Sequence, residues 1–342
     1  MDGEGICAGE CMVETKGITD DMSNNILILS CGTRDLLVRY FKRADYERVI
    51  GADCSELAPA LYEADKYYLI PRMKEEGYFD AILEICRKEG ITAILPLQED
   101  ELNLISENRE LFEQEGIRTI VSPVETLQIC RDKYCFFEHM TEHGIPVLNS
   151  YIDLAKFEKA YEAGKIGFPV FVKPVRGAGS VGVMKVSCMD LLKALFAYSE
   201  EPLLIQEFCN GREFGIDVYV DLVSGEVVDI FAKEKLRMRA GETEKSVTSN
   251  DPALKEFVYR AASTLKLSGP VDMDVFEKDG IFYLSEINPR FGGGFPHAYA
   301  CGVDTPSYIL QNLQGIANES HLQEKREEIY VLKYSDILCI DR

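Results

Sequence analysis

The residues that most directly indicate chemistry lie around a glycine-rich segment, Arg176–Gly182 (RGAGSVG). Lys173 precedes this segment at the end of a β-type run (PVFV), and a second β-type run, Val183–Ser187, follows it. Such a hairpin can close over a triphosphate, because its backbone N–H groups bind phosphate oxygens while the lysine ammonium adds a positive charge. The segment therefore predicts a phosphate-binding hairpin, with an ordinary glycine turn as the alternative.

Gly177–Gly182 also spells G-x-G-x-x-G, the pattern associated with dinucleotide-binding folds. That interpretation requires a helix immediately after the glycines, with the pyrophosphate at its N-terminus. The residues that follow, VGVMKVS, alternate and are rich in β-branched side chains, which is typical of a strand. The sequence thus favours strand–loop–strand, and an NAD-dependent oxidoreductase is kept as the rival enzyme hypothesis.

A second group of residues has the chemistry of magnesium ligands. Glu286 and Asn288 lie two positions apart in a strand that runs into SEINPRFGGG, so their side chains project from the same face. A hairpin at the KDG turn would place Asp274 beside Glu286, and Asp272 on the same face is the competing candidate. Carboxylate and amide oxygens are hard ligands suited to Mg²⁺. With the nearby Arg290, the set predicts a metal–phosphate site in preference to a solvated strand end.

The elements that position these residues fall into two halves. In residues 23–125, strand-like runs alternate with amphipathic helices, as where Glu76–Lys88 is followed by Ala93–Leu97. This alternation predicts a doubly wound parallel sheet. The ligand edge of such a sheet is formed by the carboxyl ends of its strands, which here offer Ser30–Arg34, Asp53 and Gln98–Glu101. These residues could equally cap helices.

From about residue 126 the pattern becomes α+β, with strands that alternate in the manner of an antiparallel sheet. We expect a smaller unit at 126–208 that carries the glycine hairpin, and a second unit at 209–342 that carries the magnesium ligands. Residues 1–22 are polar and acidic without periodicity, and they are predicted to be a disordered leader.

Composition restricts the class of partner. The 342 residues carry a formal net charge of −21, which disfavours nucleic acid because a phosphate backbone would be repelled. Eleven cysteines are dispersed without a C-x-x-C pair and only four histidines are present, so a zinc site is not expected. The dispersed cysteines instead predict a protein of the reducing cytoplasm. No apolar run has the roughly 18 residues that a membrane span needs.

Four segments resemble the ATP-grasp superfamily, and within it the carbamoyl-phosphate-synthase-like carboxylate ligases. They are DKYCFFEHMTEHGIPV (132–147), FPVFVKPVRGAGSVGV (168–183), LIQEFCNGREFGIDV (204–218) and VDMDVF…LSEINPRFGGG (271–294). The resemblance implies an α/β and α+β chain, in which an ATP-grasp fold follows an N-terminal doubly wound parallel-sheet (pre-ATP-grasp) domain. It implies a C–N ligase that uses ATP and Mg²⁺ (or Mn²⁺) and releases ADP through an acyl phosphate. Homodimers are common in the family and are expected here.

Matched residue by residue, the resemblance implies an ATP site. The adenine amino group would bind Glu207, the backbone of Phe208 and Cys209 would complete the adenine edge, and Glu213 would bind the ribose hydroxyls. The phosphates would be contacted by two lysines and covered by the glycine loop, whose assigned residues are Lys133, Lys173, Gly177, Gly179, Ser180 and Gly182.

The same resemblance implies that Asp274, Glu286 and Asn288 hold two Mg²⁺ ions. Arg290 would meet the γ-phosphate or the acyl phosphate, which makes it a predicted catalytic residue together with Lys173 and Asn288.

Two departures from the family pattern refine the prediction. The chain has one ATP-grasp unit where the full synthase has two, and Asp274 stands where those synthases usually have glutamine, as in ligases of the D-alanine type. Both favour a stand-alone carboxylate–amine ligase. A subunit of the carbamoyl-phosphate-synthase type, which forms carboxyphosphate or phosphorylates carbamate, is the first alternative, and a non-catalytic nucleotide-binding protein is the second.

The segment 233–250 (KEKLRMRAGETEKSVTSN) is the most basic stretch of this acidic chain. It is predicted to lie between a strand and a helix, close in sequence to the site. Arginines hold carboxylates through paired hydrogen bonds, so Arg237, Arg239 and Arg290 are predicted to bind the carboxylate substrate. A solvated basic loop is the alternative, and the sequence leaves open which arginine binds.

Overall fold

The computed structural model describes residues 24–177, 182–239, 241–323 and 328–340. The predicted leader, residues 1–22, lies outside these ranges, as do Gly179 and Ser180 of the glycine loop. The described residues form three β-sheets. Within these ranges, no helix combines the length and apolar character needed to cross a bilayer.

The first sheet is parallel. Its strands are β1 (Asn25–Leu29), β2 (Arg48–Asp53), β3 (Lys66–Leu69), β4 (Ala93–Pro96) and β5 (Arg118–Thr119), in the order β3-β2-β1-β4-β5. The accompanying helices are α1 (Asp35–Arg43), α2 (Tyr78–Glu89), α3 (Glu99–Glu107), α4 (Arg109–Gln114) and α5 (Val124–Arg131), with a short 3-10 helix at Pro59–Glu63.

Both faces of this sheet are buried, which explains the apolar run Ile26–Leu29 in β1. Ile26 and Ile28 pack with Phe41 of α1 on one face, and Leu27 and Leu29 pack against α2 on the other. Successive side chains of a strand point to opposite faces, so a single run of four apolar residues, Ile26–Leu29, contributes to two cores. The predicted doubly wound parallel sheet is therefore confirmed.

Two details of this layer differ from the sequence-based expectation. The single helix predicted through Leu102 and Phe112 is divided into α3 and α4 at Asn108, whose side-chain Nδ2 donates to the carbonyl of Leu104 at 2.8 Å. The edge strand β3 was not predicted, because three of its four residues are exposed and it lacks a buried apolar pattern.

The second sheet has four strands and carries the glycine hairpin. Its strands are β6 (Ser150–Tyr151), β7 (Val170–Pro174), β8 (Met184–Val186) and β9 (Leu203–Glu207), in the order β6-β9-β7-β8. Its helices are α6 (Lys133–Glu142), α7 (Leu154–Glu162) and α8 (Met189–Tyr198). The side chain of Asp132 accepts hydrogen bonds from the backbone N–H groups of Tyr134 and Cys135, which confirms it as the N-cap of α6.

The third sheet is antiparallel and holds the predicted magnesium ligands. Its strands are β10 (Arg212–Val220), β11 (Val227–Arg239), β12 (Glu242–Ser249), β13 (Gly269–Lys278), β14 (Ile281–Asn288) and β15 (Tyr330–Leu332), in the order β14-β13-β10-β11-β12-β15. The remaining helices are α9 (Pro252–Ala262), α10 (Phe295–Ala300) and α11 (Thr305–Leu313). Apolar residues from one face of the sheet pack against α9.

The basic stretch 233–250 corrects one expectation. It is not a connection between a strand and a helix, because β11 continues to Arg239 and pairs with β12 through most of the segment. The charged residues are compatible with strands because carboxylates on neighbouring strands pair with them, as Asp217 on β10 does with the buried Lys233. A run of charged residues predicts a solvent-exposed segment, whereas here three of the charged side chains, Lys233, Lys235 and Glu242, line a polar cleft.

Candidate active site

A cleft of about 450 Å³ is lined by residues from all three sheets. The first sheet contributes the carboxyl ends of β1 and β4, the second contributes β7 and β9 with the base of the glycine hairpin, and the third contributes the polar face of β10–β14. The charged residues of its lining are Arg34, Glu99, Arg131, Lys133, Lys173, Arg176, Glu213, Lys233, Lys235, Glu242, Asp272, Asp274, Glu286 and Arg290.

The glycine hairpin joins two antiparallel strands. Residues of β7 and β8 pair in register, with Val170 opposite Val186 and Val172 opposite Met184. The predicted strand–loop–strand arrangement is confirmed, and the helix that a dinucleotide-binding loop would require is absent from the described residues 182–186. The literal G-x-G-x-x-G therefore has no support as a Rossmann motif.

Two lysines flank the base of this hairpin and line the cleft. Lys173, on β7, donates from Nζ to Oε1 of Gln206 at 2.8 Å, and burial lowers the pKa of its ammonium to about 8. Lys133, the first residue of α6, donates from Nζ to the carbonyl of Gly177 at 2.6 Å. Both acceptors are neutral groups, so neither hydrogen bond pairs the lysine with a carboxylate.

The described glycines at the ends of the loop have conformations that suit glycine. Gly177 has φ +132° and Gly182 has φ +73°. A Cβ on Gly182 would also lie 3.1 Å from the Pro174 ring, so a side chain at this position would be both strained and crowded.

The predicted adenine edge is only partly in the cleft lining. Cys209 and its neighbour Gln206 line the cleft, whereas Glu207 and Phe208 do not. Glu207 instead accepts from Nδ2 of Asn149 at 2.7 Å and lies 3.7 Å from Nζ of Lys278. Phe208 packs on Phe171, with 5.4 Å between ring centroids, and Lys185 lies 3.9 Å above its ring.

Glu213 lies in the cleft and is linked to the metal-ligand candidates through Lys235. The Nζ of Lys235 is 2.8 Å from Oε1 of Glu213 and 2.5 Å from Oδ1 of Asp274. Burial alone would lower the pKa of Lys235, but the two carboxylates outweigh it and raise the pKa. Lys235 is thus the cation that balances these carboxylates in the protein without ligands.

Three predicted magnesium ligands lie on one face of the β13–β14 hairpin. Asp274 is directly opposite Glu286, and Asp272 is directly opposite Asn288. Asn288 donates from Nδ2 to Oε1 of Glu286 at 3.1 Å. Burial and the neighbouring Glu286 raise the pKa of Asp274 to about 7. A desolvated pair of carboxylates beside an amide oxygen is a donor set that fits a hard divalent cation.

Asp272, the competing ligand candidate, has a different partner. Arg290 donates from one Nη to Oδ2 of Asp272 at 3.2 Å and to the carbonyl of Phe291 at 3.0 Å. The guanidinium therefore lies next to the carboxylate cluster and lines the cleft, as predicted for a group that meets a transferred phosphoryl.

Arg237 and Arg239 do not line the cleft in this structure. Both are exposed and pair with Glu244 at 2.8 and 3.4 Å. The pairing of β11 with β12 shifts register on either side of Arg237, which breaks the alternation of side chains and directs Met238 toward the cleft instead. Such a bulge leaves no signature in the sequence.

Other residues enter the site that the sequence did not single out as binding residues. Lys233 and Lys235 line the cleft from the part of β11 that precedes the bulge, and Glu242 and Thr243 line it from the start of β12. Arg34 enters from the carboxyl end of β1. Unlike the others, Arg34 belongs to the segment Ser30–Arg34 that the sequence offered at this ligand edge of the doubly wound sheet.

Comparisons with known proteins agree with this architecture. A family model described as the PylC-like N-terminal domain matches residues 26–120, and one described as ATP-grasp in the biosynthetic pathway with Ter operon matches residues 199–337. The biotin carboxylase domain of 2-oxoglutarate carboxylase from Hydrogenobacter thermophilus, a dimer in complex with MgADP, ADP and bicarbonate, superposes with a TM-score of 0.72 at 20% identity. That match covers 90% of this chain and 73% of the other.

Two curated relatives match parts of the chain. The arginine-specific carbamoyl phosphate synthase large chain of Bacillus subtilis is 27% identical over 194 residues, which are 53% of this chain and 18% of the relative. A D-alanine–D-alanine ligase of Geobacillus thermodenitrificans is 29% identical over 211 residues, 54% of this chain and 58% of the relative. The chain thus spans less than two thirds of either relative. The resemblance to the ATP-grasp superfamily is confirmed, and the chain has the ATP-grasp fold.

Proposed function

We propose that this protein is an ATP- and Mg²⁺-dependent ligase that joins a carboxylate to an amine through an acyl phosphate. One observation carries the proposal. Two lysines at a glycine hairpin and a carboxylate–amide–arginine cluster face each other across a single cleft. Phosphate-binding groups on one side and candidate metal ligands on the other are what phosphoryl transfer from a nucleoside triphosphate needs.

The reaction consists of two balanced steps. The carboxylate oxygen attacks the γ-phosphorus of ATP, the bond to the β-phosphate oxygen breaks, and ADP leaves. The amine nitrogen then attacks the acyl carbon and the carbon–oxygen bond to phosphate breaks. Starting from the ammonium form, one proton departs with the phosphate as HPO₄²⁻ and the other passes to solvent.

The residues of the chain contribute by position and charge. Lys133 and Lys173 hold the triphosphate, and Arg290 compensates the charge on the transferring phosphoryl. Asp274, Glu286 and Asn288 would hold two Mg²⁺ ions, which would neutralise phosphate charge when they are bound. For Mg²⁺ to bind, Lys235 must give up its contact with Asp274, and the incoming triphosphate offers the lysine another anion.

The adenine and ribose assignments belong to the same proposal. Cys209 and Glu213 already line the cleft. Glu207 and Phe208 lie at the end of β9 and immediately after it, and a change in the side-chain position of Glu207, away from Asn149, would turn its carboxylate toward the adenine amino group. Gly177 and Gly182 hold the two ends of the loop that covers the phosphates.

The test is an ADP-release screen over carboxylic acids paired with amines, with products identified by mass spectrometry. Lys173→Ala and Glu286→Gln are expected to lower the rate by about 10²–10³. Matched controls are Lys193→Ala, which replaces an exposed lysine paired with Glu158, and Glu277→Gln, which replaces a carboxylate of the same sheet that pairs with Arg212 and does not line the cleft. Wild-type-like turnover of Glu286→Gln would refute the metal assignment.

The screen also separates the alternatives. Bicarbonate is included, because ADP release that depends on bicarbonate would favour the carbamoyl-phosphate-synthase-type activity. Nucleotide binding without ADP release for any pair would favour a non-catalytic protein. NADH binding with no response to ATP would favour the oxidoreductase hypothesis.

A cytoplasmic location and a homodimer complete the proposal. The described cysteines form no disulfide, which suits a reducing compartment. Light scattering of the purified protein would test the dimer, and a monomer at micromolar concentration would contradict it.

A further inference from the structure

The end of the cleft formed by the first sheet presents an unusual cation. Arg34 stands at the carboxyl end of β1, just before α1, and its side chain is partly buried with 29% of its surface exposed. Within the described parts of the chain its guanidinium makes no hydrogen bond, and its ion-pair partner, Oε1 of Glu242, lies 3.9 Å away. A guanidinium has five N–H donors, and leaving them unsatisfied in a cleft is costly unless a ligand or water binds them.

A carboxylate stands across from this guanidinium. Glu242 is the first residue of β12, and its Oε2 accepts from Nζ of Lys333 at 2.9 Å, so Lys333 holds it in place from outside the cleft. Its other oxygen, Oε1, faces Arg34. Arg34 follows a strand of the first sheet and Glu242 belongs to the third, and both side chains line the cleft.

Gly293 forms the surface between the two charges. A Cβ at this position would lie 3.2 Å from the Glu242 carboxylate and 3.3 Å from one Nη of Arg34. The space above Gly293 is therefore bounded by a positive group on one side and a negative group on the other, and a side chain there would crowd both. Arg290 precedes the glycines Gly292–Gly294 by two residues. It also lines the cleft, and it is the second guanidinium near Gly293.

This arrangement suits a ligand that carries opposite charges a few ångströms apart. A simple carboxylate would be repelled by Glu242, and a simple amine would be repelled by Arg34. Burial and the nearby Arg290 lower the pKa of Arg34, so an anion between the two guanidinium groups would relieve their repulsion. An α-amino acid satisfies both sides, because its carboxylate can bind a guanidinium while its amino group donates to a carboxylate.

We propose that Arg34 and Glu242 bind the amine substrate of the ligase, and that this substrate is an α-amino acid. The proposal rests on the ligase function proposed above and names its acceptor. Arg34 holds the carboxylate of the acceptor, which does not react, and Glu242 positions the amino group that attacks the acyl phosphate near Arg290. The triphosphate occupies the other end of the cleft, beside Lys173.

The experiment measures ADP release with the carboxylic acid that proves active in the screen. The acceptors are the common α-amino acids, the corresponding amino acid amides and ethylamine. Wild type is expected to prefer amino acids over their amides by about 10- to 100-fold in kcat/KM, the size of a lost charge-assisted hydrogen bond. Arg34→Gln should raise the KM for the amino acid by a similar factor and remove the preference over the amide. The KM for ATP should not change.

Glu242→Gln should also raise the KM for the amino acid, whereas Arg34→Lys should retain part of the preference because it keeps the charge. Arg39→Gln is the matched control, since Arg39 is an exposed arginine on the same helix that pairs with Asp35 and Glu63 away from the cleft. Thermal unfolding of each variant checks that the protein is folded.

The outcomes separate this inference from the function on which it rests. ADP release by wild type with ethylamine or the amides, as efficient as with amino acids, would overturn the inference and leave the ligase function standing. An Arg34→Gln variant with an unchanged KM for the amino acid would overturn it as well. Absence of ADP release for every pair, with ATP bound, would contradict the ligase function itself.

Discussion

Replacing Lys173 by methionine should abolish activity and yet stabilise the protein without ligands. Burial lowers the pKa of this lysine from 10.5 to about 8. Since one pKa unit corresponds to about 1.4 kcal/mol, the folded protein disfavours the charged ammonium by about 3 kcal/mol at pH 7. Methionine has a similar length and carries no charge, so the variant avoids this cost.

The stabilisation gained by removing the buried charge is reduced by the loss of one hydrogen bond. The hydrogen bond from Nζ of Lys173 to Gln206 is worth about 1 kcal/mol, and its loss leaves the Gln206 carbonyl without this donor. The expected net stabilisation is about 1–2 kcal/mol, or a Tm about 1–3 °C higher than wild type. Nucleotide affinity should fall by about 10- to 100-fold, because a charged donor to phosphate is removed.

The pH dependence of the stability difference provides the decisive measurement. The folded pKa of Lys173 is depressed, so its destabilising effect is complete below pH 8 and declines as the pH rises from 8 toward 10.5. Thermal unfolding of both proteins without nucleotide should therefore show the largest difference at pH 7 and less than half of it at pH 9.5. A variant that is less stable than wild type at pH 7, or a difference that does not change with pH, would refute the reasoning.

Three further predictions follow from the same geometry. ATP binding by wild type, followed by calorimetry, should weaken above pH 8 by up to tenfold per pH unit as Lys173 loses its proton, and a flat profile to pH 9.5 would contradict this. Gly182→Ala should lower the Tm and the rate of ADP release, because φ is +73° and Pro174 crowds the new methyl group. The control Gly164→Ala has φ +69° and open space around the new methyl group, so its Tm should fall through backbone strain alone. Lys235→Met should increase the rise in Tm that Mg²⁺ alone produces, because Asp274 loses the cation that now balances it, and an unchanged Mg²⁺ effect would argue against a metal site there.

The sequence predicted most of the fold where a local pattern had a single structural solution. The four consecutive apolar residues Ile26–Leu29 predict a strand buried on both faces, and Asp132 could be assigned as an N-cap because its side chain needs only neighbours in the sequence. By contrast, β15 has exposed residues and depends on pairing with β12, so nothing local indicates it. The same holds for the edge strand β3.

The site was predictable where two ligands share one strand, because Glu286 and Asn288 lie two residues apart. The KDG turn joins β13 to β14, and a register shift between Asp274 and Val275 places Asp274 opposite Glu286. The substrate end was not predictable, because it depends on how far β11 extends and where its register shifts. The sequence predicts a connection at 233–250 and selects Arg237 and Arg239 as binding residues. In the structure, β11 continues through this segment as a paired strand and brings Lys233 and Lys235 into the cleft.

The distribution of partners among the cleft cations explains how a strongly acidic protein can bind a tetra-anion. Lys233 is paired with Asp217, Lys235 with Asp274 and Arg290 with Asp272, so each of these cations must exchange or share a carboxylate when an anion binds. Lys173 and Lys133 have neutral partners, Gln206 and the Gly177 carbonyl, and Arg34 has no hydrogen bond in the described residues, its nearest carboxylate oxygen being Oε1 of Glu242 at 3.9 Å. These three cations can therefore meet an anion with the least rearrangement, and Arg34 follows a strand of the first sheet whereas the two lysines flank the glycine hairpin. That separation favours a triphosphate at one end and a second, smaller anion at the other, which is the arrangement that a ligase with two substrates requires.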